Sequence, residues 1–275
     1  MLELETEQLL STGTIQVRHV RCSGTCRHRS PEECSDITHL VFPYSGAYVR
    51  HVGHQQFIAD ANHVLFFNAK ETYQVSHPVR GGDRNFVIQP SEEALCELAP
   101  PGMLTYSGAL RFQRQHQRID PRAQSLVALL RNRLADKSLD DLAAEALLIR
   151  LVQLSLGPRT SQEPRVTGKR RRTVDRVKLL MLSNLTKRWT LGEIAAKVGG
   201  SPVYLTQLFQ QVEGLPLYRY HLRLRLARAL ELLSQRADMT TIALELGFSS
   251  HSHFSMSFRQ AYGRTPSDFR QIITR

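Results

Sequence analysis

Thiol and imidazole side chains are concentrated near the start of the chain. Three of the four cysteines lie within thirteen residues: Cys22, Cys26 and Cys34. Three histidines lie close to them in the sequence: His19, His28 and His39. Thiolate and imidazole are ligands that zinc and softer metals prefer, but the spacing lacks a close C-x2-C pair, and strands can also bury cysteines as small apolar residues. A metal site, a redox sensor and ordinary free thiols therefore stay open as alternatives, whereas a disulfide framework is not expected in a cytosolic chain.

Two short helices are predicted after Thr190, and the second carries side chains that can hydrogen-bond to a ligand. Thr190 and Glu193 form a capping-box pattern that starts the first helix, and Gly199-Gly200 ends it. Ser201-Pro202 then starts the second helix. One face of that helix is an apolar stripe: Leu205, Leu208, Phe209 and Val212. The opposite face carries hydroxyls and amides that can hydrogen-bond to base edges, so the pattern predicts a helix-turn-helix unit.

The same pattern returns about 48 residues later, which indicates an internal duplication. Ile242-Ala243 repeats Ile194-Ala195, and Gly247 takes the place of Gly199. Ser249-Ser250 caps a further helix whose buried face includes Phe254 and Phe258. A long helix from Leu217 to Ser234 is predicted to connect the two units, with arginines interleaved among its leucines.

The charge of the chain is distributed in a way that agrees with this reading. The formal net charge is +11, and residues 166–275 carry all of the excess, with 18 basic and 7 acidic residues. A basic domain next to a neutral one is what nucleic-acid binding requires, because cationic side chains release counterions from the phosphates. The run Lys169–Arg172 is expected to contact phosphates, although a solvated tether would have the same composition.

Residues 14–90 are expected to be rich in β-strands, because short apolar runs alternate there with turn-forming residues. Such spacing predicts a small antiparallel barrel or sandwich. From about residue 120 the period becomes helical, and two amphipathic helices are expected between 120 and 156. Residues 157–172 have the composition of a linker, and the fold class is therefore α+β.

The C-terminal stretch resembles the DNA-binding domain of the AraC/XylS family over about 100 residues. The segment TTIALELGFSSHSHFSMSFRQAYGRTPSDFR carries the most diagnostic positions, namely IA, GF, SHF, F, YG, TP and FR at family spacing. The resemblance implies two helix-turn-helix subdomains in residues 173–275, joined by a rigid helix and reading adjacent major grooves. It further implies that residues 1–156 form a cupin-like barrel that binds an effector, followed by helices that dimerise.

The resemblance assigns reading positions residue by residue. On the first reading helix they are Val203, Thr206, Gln207 and Gln210, and on the second His251, Ser252, His253 and Met256. Family members often carry arginine where this chain has Gln207 and Met256, so the target sequence of another member does not transfer. Arg259, like Arg172, is expected to contact phosphate.

These observations predict a sequence-specific transcription regulator that is not an enzyme. The expected partners are double-stranded DNA, a second copy of the chain, RNA polymerase if the regulator is an activator, and an organic or metal effector. No apolar run approaches the roughly 18 residues of a membrane span, and the acidic start is not a secretory signal, so a cytoplasmic location is expected.

Three rival functions are weaker. A DNA-repair methyl acceptor would need a fourth cysteine in the cluster, whereas Cys96 lies far away. A cupin oxygenase would need a His-x-His motif, and His63, Glu71 and His77 do not form one, so structural roles are expected for them. An architectural DNA binder without an effector would not need so large an N-terminal domain.

Overall fold

The structure, a computed structural model, describes residues 4–24, 27–157, 168–235 and 237–274. The strands are β1 (Leu4–Ser11), β2 (Ile15–Cys22), β3 (Glu33–Cys34), β4 (His39–Gly46), β5 (Tyr48–Val52), β6 (Gln55–Ala59), β7 (His63–Phe67), β8 (Thr72–Ser76), β9 (Asp83–Pro90), β10 (Leu104–Tyr106), β11 (Leu110–Phe112) and β12 (His116–Arg118). The helices are α1 (Glu92–Leu98), α2 (Pro121–Ala135), α3 (Asp141–Leu156), α4 (Gly168–Ser183), α5 (Leu191–Val198), α6 (Pro202–Glu213), α7 (Leu217–Leu232), α8 (Met239–Glu245), α9 (His251–Tyr262) and α10 (Pro266–Thr274). A strand-rich region thus precedes an all-helical one, as predicted.

The strands of the N-terminal region pair antiparallel into sheets that face each other. A six-stranded sheet runs in the order β1-β2-β9-β4-β7-β12, and a four-stranded sheet in the order β3-β8-β5-β6. Strands β10 and β11 form a separate pair. The antiparallel β-domain expected from the sequence is confirmed. Of the two forms left open, the described strands resemble a sandwich, since their pairings make separate sheets and not one continuous ring.

Strands in the centre of the larger sheet are buried on both faces, because successive side chains point to opposite sides. In β4, Leu40 and Phe42 belong to a core shared with the helices, whereas Val41 packs toward the four-stranded sheet. Strands β7 and β9 repeat this division. The helices that cover the outer face are α1, α2 and α3. Burial on both faces explains why these strands appear in the sequence as unbroken apolar runs.

The C-terminal helices build two cores that share α7. Helices α4, α5 and α6 pack with the first half of α7, and α8, α9 and α10 pack with its second half. Helix α4 already begins at Gly168, so residues 168–172, which were predicted to belong to the linker, are helical. Lysine and arginine are good helix formers, and the apolar side of α4, with Val174, Val177 and Met181, anchors the helix in the first core. The rest of the predicted linker after Gly157 lies outside the described residues.

Apolar contacts dock the helical region on the β-domain. Ala128 and Leu129 of α2 pack into the core around α7 and α9, so this core contains side chains from both halves of the chain. On the other side, Leu179 and Leu182 of α4 pack against a small cluster on β5 and β6. Helix α2 is therefore covered by the C-terminal helices as well as by the sheet. The domain boundary predicted from sequence remains a prediction, because the packed cores continue across it.

A buried polar cluster joins the same two halves. The Asp60 carboxylate accepts hydrogen bonds from His63 Nδ1, at 2.8 Å, and from the Tyr220 hydroxyl. His63 Nε2 lies 3.5 Å from Glu213 Oε2, and Lys178 Nζ lies 3.2 Å from Glu213 Oε1. Asp60 and His63 come from the β-domain, whereas Lys178, Glu213 and Tyr220 come from α4, α6 and α7. We call these five residues the interdomain cluster.

Mutual pairing keeps the acidic and basic members of the interdomain cluster ionised although they are buried. Burial alone would raise the pKa of Asp60 and of Glu213, but His63 and Lys178 hold both pKa values below their ordinary range. Burial and Lys178 oppose the charge on His63, yet Asp60 and Glu213 raise its pKa. The pairing of the two carboxylates with His63 and Lys178 therefore offsets the cost of burying these groups, and the set is complete only while both halves of the chain are docked.

We expect Tyr220→Phe to lower the free energy of unfolding by about 1–3 kcal/mol, because the buried Asp60 carboxylate loses a donor. Tyr218→Phe is the matched control on the same helix, since the Tyr218 side chain is 64% exposed; its effect should stay within about 0.5 kcal/mol. Denaturant unfolding of the full chain measures both. Equal effects of the two substitutions would contradict the role given to the interdomain cluster.

Candidate nucleic-acid interface

The first helix-turn-helix unit is built by local capping, as its sequence predicts. The Thr190 backbone N–H donates to Glu193 Oε2 at 2.9 Å, and the Glu193 backbone N–H donates to Thr190 Oγ1 at 3.2 Å. Helix α5 ends at Gly199, and Ser201 Oγ accepts the backbone N–H of Tyr204 at 3.2 Å to start α6. These caps set the angle between α5 and α6, and they leave one side of α6 facing outward.

The outward side of α6 carries the predicted reading positions. Gln207 and Gln210 are exposed, and the Val203 side chain is 67% exposed. Thr206 is only half-buried, and its hydroxyl donates to the Pro202 carbonyl of the same helix at 2.9 Å. Its hydroxyl proton is thus engaged within the helix. The two glutamines are the residues of this face whose amides can both donate to and accept from base edges.

The second unit repeats the arrangement. The Asp238 carboxylate accepts the backbone N–H groups of Thr240 and Thr241 at the start of α8, and Ser250 Oγ accepts that of His253 at the start of α9. The buried side of α9 holds Phe254, Ser257, Phe258 and Tyr262. All five predicted contact positions on α9 are exposed: His251, Ser252, His253, Met256 and Arg259.

Neighbouring side chains orient the two exposed histidines of α9. His253 Nδ1 lies 3.0 Å from Ser249 Oγ, and the His253 ring stands edge-on to Phe248 with 5.4 Å between the ring centroids. His251 Nε2 lies 3.3 Å from Ser255 Oγ. Each imidazole therefore has one nitrogen beside a serine hydroxyl, which restricts the ring orientations that it can present to a ligand.

Arg225, in the middle of α7, ties the two units together. Its guanidinium donates to the carbonyls of Leu185, Thr186 and Lys187 before α5, at 2.9, 3.1 and 2.8 Å. It also donates to the Gly247 carbonyl in the turn between α8 and α9, at 3.4 Å. Sequence reasoning treated Arg225 as one of several interleaved arginines and missed this role. No local pattern distinguishes it, because its acceptors are backbone carbonyls that lie far away in the sequence.

Gly247 lies in the turn between α8 and α9 and lets this turn pack against the loop before α5. Its φ is +75°, and a Cβ at this position would lie 2.2 Å from the Thr186 carbonyl oxygen. The sequence identified Gly247 as the end of a helix, but the close approach to Thr186 is an independent reason for glycine. Burial and the nearby Arg225 also lower the pKa of His221 to about 4, so that its neutral ring lies beside the same loop, with Nε2 2.9 Å from the Leu185 carbonyl.

The β-domain brings together other polar groups. Glu71 is held by Arg50 at 3.4 Å, Arg111 at 3.2 Å and Gln115 at 3.0 Å. His63 belongs to the interdomain cluster, and His77 Nε2 lies 2.6 Å from Asp83 Oδ1. The three residues His63, Glu71 and His77 thus occupy separate packed networks, as expected from the absence of a His-x-His motif.

The cysteines singled out by the sequence lie on different elements. Cys22 is buried at the end of β2, and Cys34 is exposed in β3 of the opposite sheet. Cys26 lies outside the described residues, so a site formed by Cys22, Cys26 and Cys34 stays a prediction. Among the residues that the structure describes, Cys22 instead shares a cluster with His77 and Asp83.

Two cavities are large enough for a small molecule. A cavity of about 680 Å³ lies between the two sheets and has mainly apolar walls, including Val41, Phe67, Val75 and Val87. A second cavity, of about 660 Å³, lies between the β-domain and α7, and its walls include Tyr44, Arg84, Leu224 and Arg228. We call them the intersheet cavity and the interdomain cavity. Within the described part of the chain, none of the helices combines the length and the apolar character needed to cross a bilayer.

We expect Gly247→Ala to weaken binding to DNA sites that engage both units, because its Cβ would push the second turn away from Thr186. Gly263→Ala is the matched control, since Gly263 has a φ of +77° but open space around its Cβ position. The control should show only the left-handed backbone penalty of about 1–2 kcal/mol in unfolding experiments. If both variants lost the same stability and the same DNA affinity, the close approach at Gly247 would have no role in setting the two units.

Comparisons with known proteins agree with this geometry. A family model described as a helix-turn-helix domain matches residues 194–272. The probable transcriptional regulator LumQ of Photobacterium leiognathi is 25% identical over 63% of this chain and 69% of its own length. The virulence regulon transcriptional activator VirF of Yersinia enterocolitica is 31% identical over 54% of each chain. Other curated relatives are matched over as little as a quarter of their length.

One solved structure is similar to part of the chain. It is a transcriptional regulator from Chromobacterium violaceum with an AraC-type DNA-binding domain, 33% identical, covering 40% of this chain and 98% of that one with a TM-score of 0.37. The sequence match lies in the part of the chain where two capped helix-turn-helix units share α7. The C-terminal helices of the chain are thus similar in sequence to a helix-turn-helix domain and to curated transcriptional regulators.

Proposed function

We propose that the chain is a sequence-specific transcription regulator whose reading helices α6 and α9 enter adjacent major grooves of double-stranded DNA. One observation carries this proposal. Two exposed polar faces are held on a single frame, because Arg225 bonds to loops of both units and Gly247 packs against Thr186. A frame of this kind presents both helices together, so one binding event places two sets of side chains on the DNA.

The contacts divide into two kinds. The reading positions are Val203, Thr206, Gln207, Gln210, His251, Ser252, His253 and Met256, and their side chains are assigned to base edges. Arg259 and Arg172 are assigned to phosphates, which supply affinity without sequence information. Gln207 and Met256 cannot make the bidentate guanine contact of arginine, worth about 1–3 kcal/mol of discrimination each. The operator is therefore expected to differ from those of family members with arginine there.

We further propose that a small organic molecule in the intersheet cavity controls DNA binding. The apolar walls suit a largely apolar ligand, and the polar groups His39 and Asn85 on the same walls can fix its orientation. The six-stranded sheet lies between this cavity and the core that contains α2, and α2 in turn packs through Ala128 and Leu129 against α7 and α9. A ligand that changes the packing of the sheet thus shifts how the helical region docks, provided that it binds the two arrangements with different affinity.

Homodimerisation is assigned to α3 and not to α2. Helix α2 is covered by the sheet on one side and by α7, α9 and α10 on the other. Helix α3 keeps an outer face on which the Leu142 side chain is 79% exposed. A second copy of the chain on this face would bring four reading helices to two half-sites. If the regulator activates transcription, RNA polymerase is the further partner, and no enzymatic step is assigned.

Mutations can distinguish the contacts assigned to phosphates from those assigned to base edges. Arg259→Ala and Arg172→Ala should weaken binding to all sequences alike and reduce the slope of log K against log salt by about 1 each. Gln207→Ala and His253→Ala should instead relax the preference for the operator by about 1–3 kcal/mol. Arg114→Ala, an exposed arginine between β11 and β12 of the β-domain, is the control for loss of charge. Binding to operator and scrambled duplexes at several salt concentrations measures all five variants.

Two results would count against this function. If the glutamine and arginine variants changed affinity and specificity in the same way, the assigned reading faces would be wrong. If DNA affinity and transcription stayed constant across all candidate effectors, control through the intersheet cavity would be contradicted, while the DNA-binding assignment would stand.

A further inference from the structure

Three metal-ligating side chains from separate strand ends converge in the β-domain. Cys22 at the end of β2 is directly opposite Asp83 at the start of β9 in the antiparallel register, so both side chains lie on the same face. His77 follows the last residue of β8, in the other sheet. One ligand atom of each residue lies within 4.8 Å of the others, and all three residues are buried.

Three glycines beside this cluster approach other backbone atoms so closely that a side chain would not fit at their positions. A Cβ on Gly82 would lie 2.1 Å from the Cys22 carbonyl oxygen, and a Cβ on Gly46 would lie 1.9 Å from the Gly82 carbonyl oxygen. Gly24 approaches Gly82 equally closely from the segment after β2. These contacts hold the ends of β2, β4 and β9 together, so the positions of Cys22 and Asp83 are defined by backbone packing.

Hydrogen bonds orient the ligand atoms toward one another. His77 Nε2 lies 2.6 Å from Asp83 Oδ1, and the Asn85 amide donates to the other carboxylate oxygen. His77 Nδ1 is buried and has no hydrogen-bond partner among the described residues.

We propose that Cys22, His77 and Asp83 form a binding site for Zn²⁺ or a similar divalent ion. Sulfur, imidazole nitrogen and carboxylate oxygen are the three ligand types that zinc takes in proteins. With metal–ligand distances of about 2.0–2.1 Å, the nitrogen and oxygen of a tetrahedral site stand about 3.3 Å apart. Opening the His77–Asp83 pair from 2.6 Å to that separation requires only a small movement. Asn85 then holds the second oxygen of Asp83 and orients the ligand, as hydrogen-bonding neighbours of metal ligands do.

The surroundings leave room for a fourth ligand. Cys22 and Asp83 line both the intersheet and the interdomain cavity, and His77 lines the intersheet cavity. Water or a donor atom of a small molecule can therefore complete the coordination. The interdomain cavity is also lined by Arg228 and Glu231 of α7, so the ion would lie at the wall that separates the two halves of the chain. This site differs from the Cys22, Cys26 and Cys34 set expected from sequence.

The test uses the full-length protein freed of metal by a chelator. Titration with Zn²⁺ should give one ion per chain, and Co²⁺ should give the absorption of a tetrahedral site with a thiolate charge-transfer band. Asp83→Asn and His77→Gln should weaken Zn²⁺ binding by more than about 100-fold, and Asn85→Ala by about 10–100-fold. Cys34→Ser and Cys96→Ser are the controls, because both cysteines are exposed and lie outside the cluster.

The outcomes separate the proposal from its alternatives. A cooperative unfolding transition of the metal-free variant, measured in the same preparations, shows that a variant with lost metal affinity is still folded. The proposal is overturned if wild-type protein binds no Zn²⁺, or if Co²⁺ shows no thiolate band. It is also overturned if Cys26→Ser and Cys34→Ser abolish binding while Asp83→Asn and His77→Gln leave it unchanged, because the ligands would then be the cysteine set. None of these measurements depends on the proposed DNA target or on an organic effector.

Discussion

Ionisable groups are buried where the two halves of the chain meet. The docking of the helical region on the β-domain depends on how these groups pair. Lys178 and Glu213 reach the interdomain cluster from the helical region, and Asp60 and His63 reach it from the β-domain. A buried charge without its partner is strongly destabilising, whereas a complete and hydrogen-bonded set is tolerated. Docking joins a pair from each half through two further contacts, from the Tyr220 hydroxyl to Asp60 and from His63 to Glu213, and such a set favours one defined docking geometry over many similar ones.

Helix α7 transmits that geometry to the DNA-binding units. Tyr220 near its start bonds to Asp60, Arg225 in its middle bonds to loops of both units, and Glu231 near its end pairs with Arg84 of β9 at 2.9 Å. One helix thus connects the β-domain with the frame that carries α6 and α9. Any change that rotates or shifts α7 against the sheet moves both reading helices together, because Arg225 and Gly247 keep them in one unit.

The two cavities share Cys22 and Asp83 in their walls. The intersheet cavity is lined mainly by residues of the two sheets, and the interdomain cavity by residues of the β-domain, α4 and α7. The cluster of Cys22, His77 and Asp83 lies at the wall between them. An organic ligand, a metal ion or both acting together would therefore bind where small shifts in the sheet reach the buried charges at the domain boundary. Packed cores respond to such shifts by changing between discrete arrangements and not by gradual deformation.

The duplicated helix-turn-helix pattern was predictable because its signals are local. Capping residues such as Thr190 and Ser250, the helix-ending glycines and the apolar stripes act within a few residues, so the starts of α5, α6 and α9 follow from sequence. The same holds for the runs that become β4, β7 and β9. Strand β1, which precedes the region predicted to be rich in strands, and helix α1 were not foreseen; most side chains of β1 are exposed, and pairing with β2 stabilises it.

Contacts between distant segments were decided only by the tertiary structure. Arg225 does not differ in sequence from Arg223 or Arg228, yet it alone among them bonds to both units, because the acceptors are backbone carbonyls of remote loops. The interdomain cluster and the group of Cys22, His77 and Asp83 arise in the same way, from residues separated by up to 160 positions. The sequence by itself determined the two helix-turn-helix units and the exposed faces of α6 and α9, since helix formation and capping depend on neighbouring residues. The docking of that domain and the polar clusters depend on which buried groups meet across the fold, and chain proximity carries no information about that.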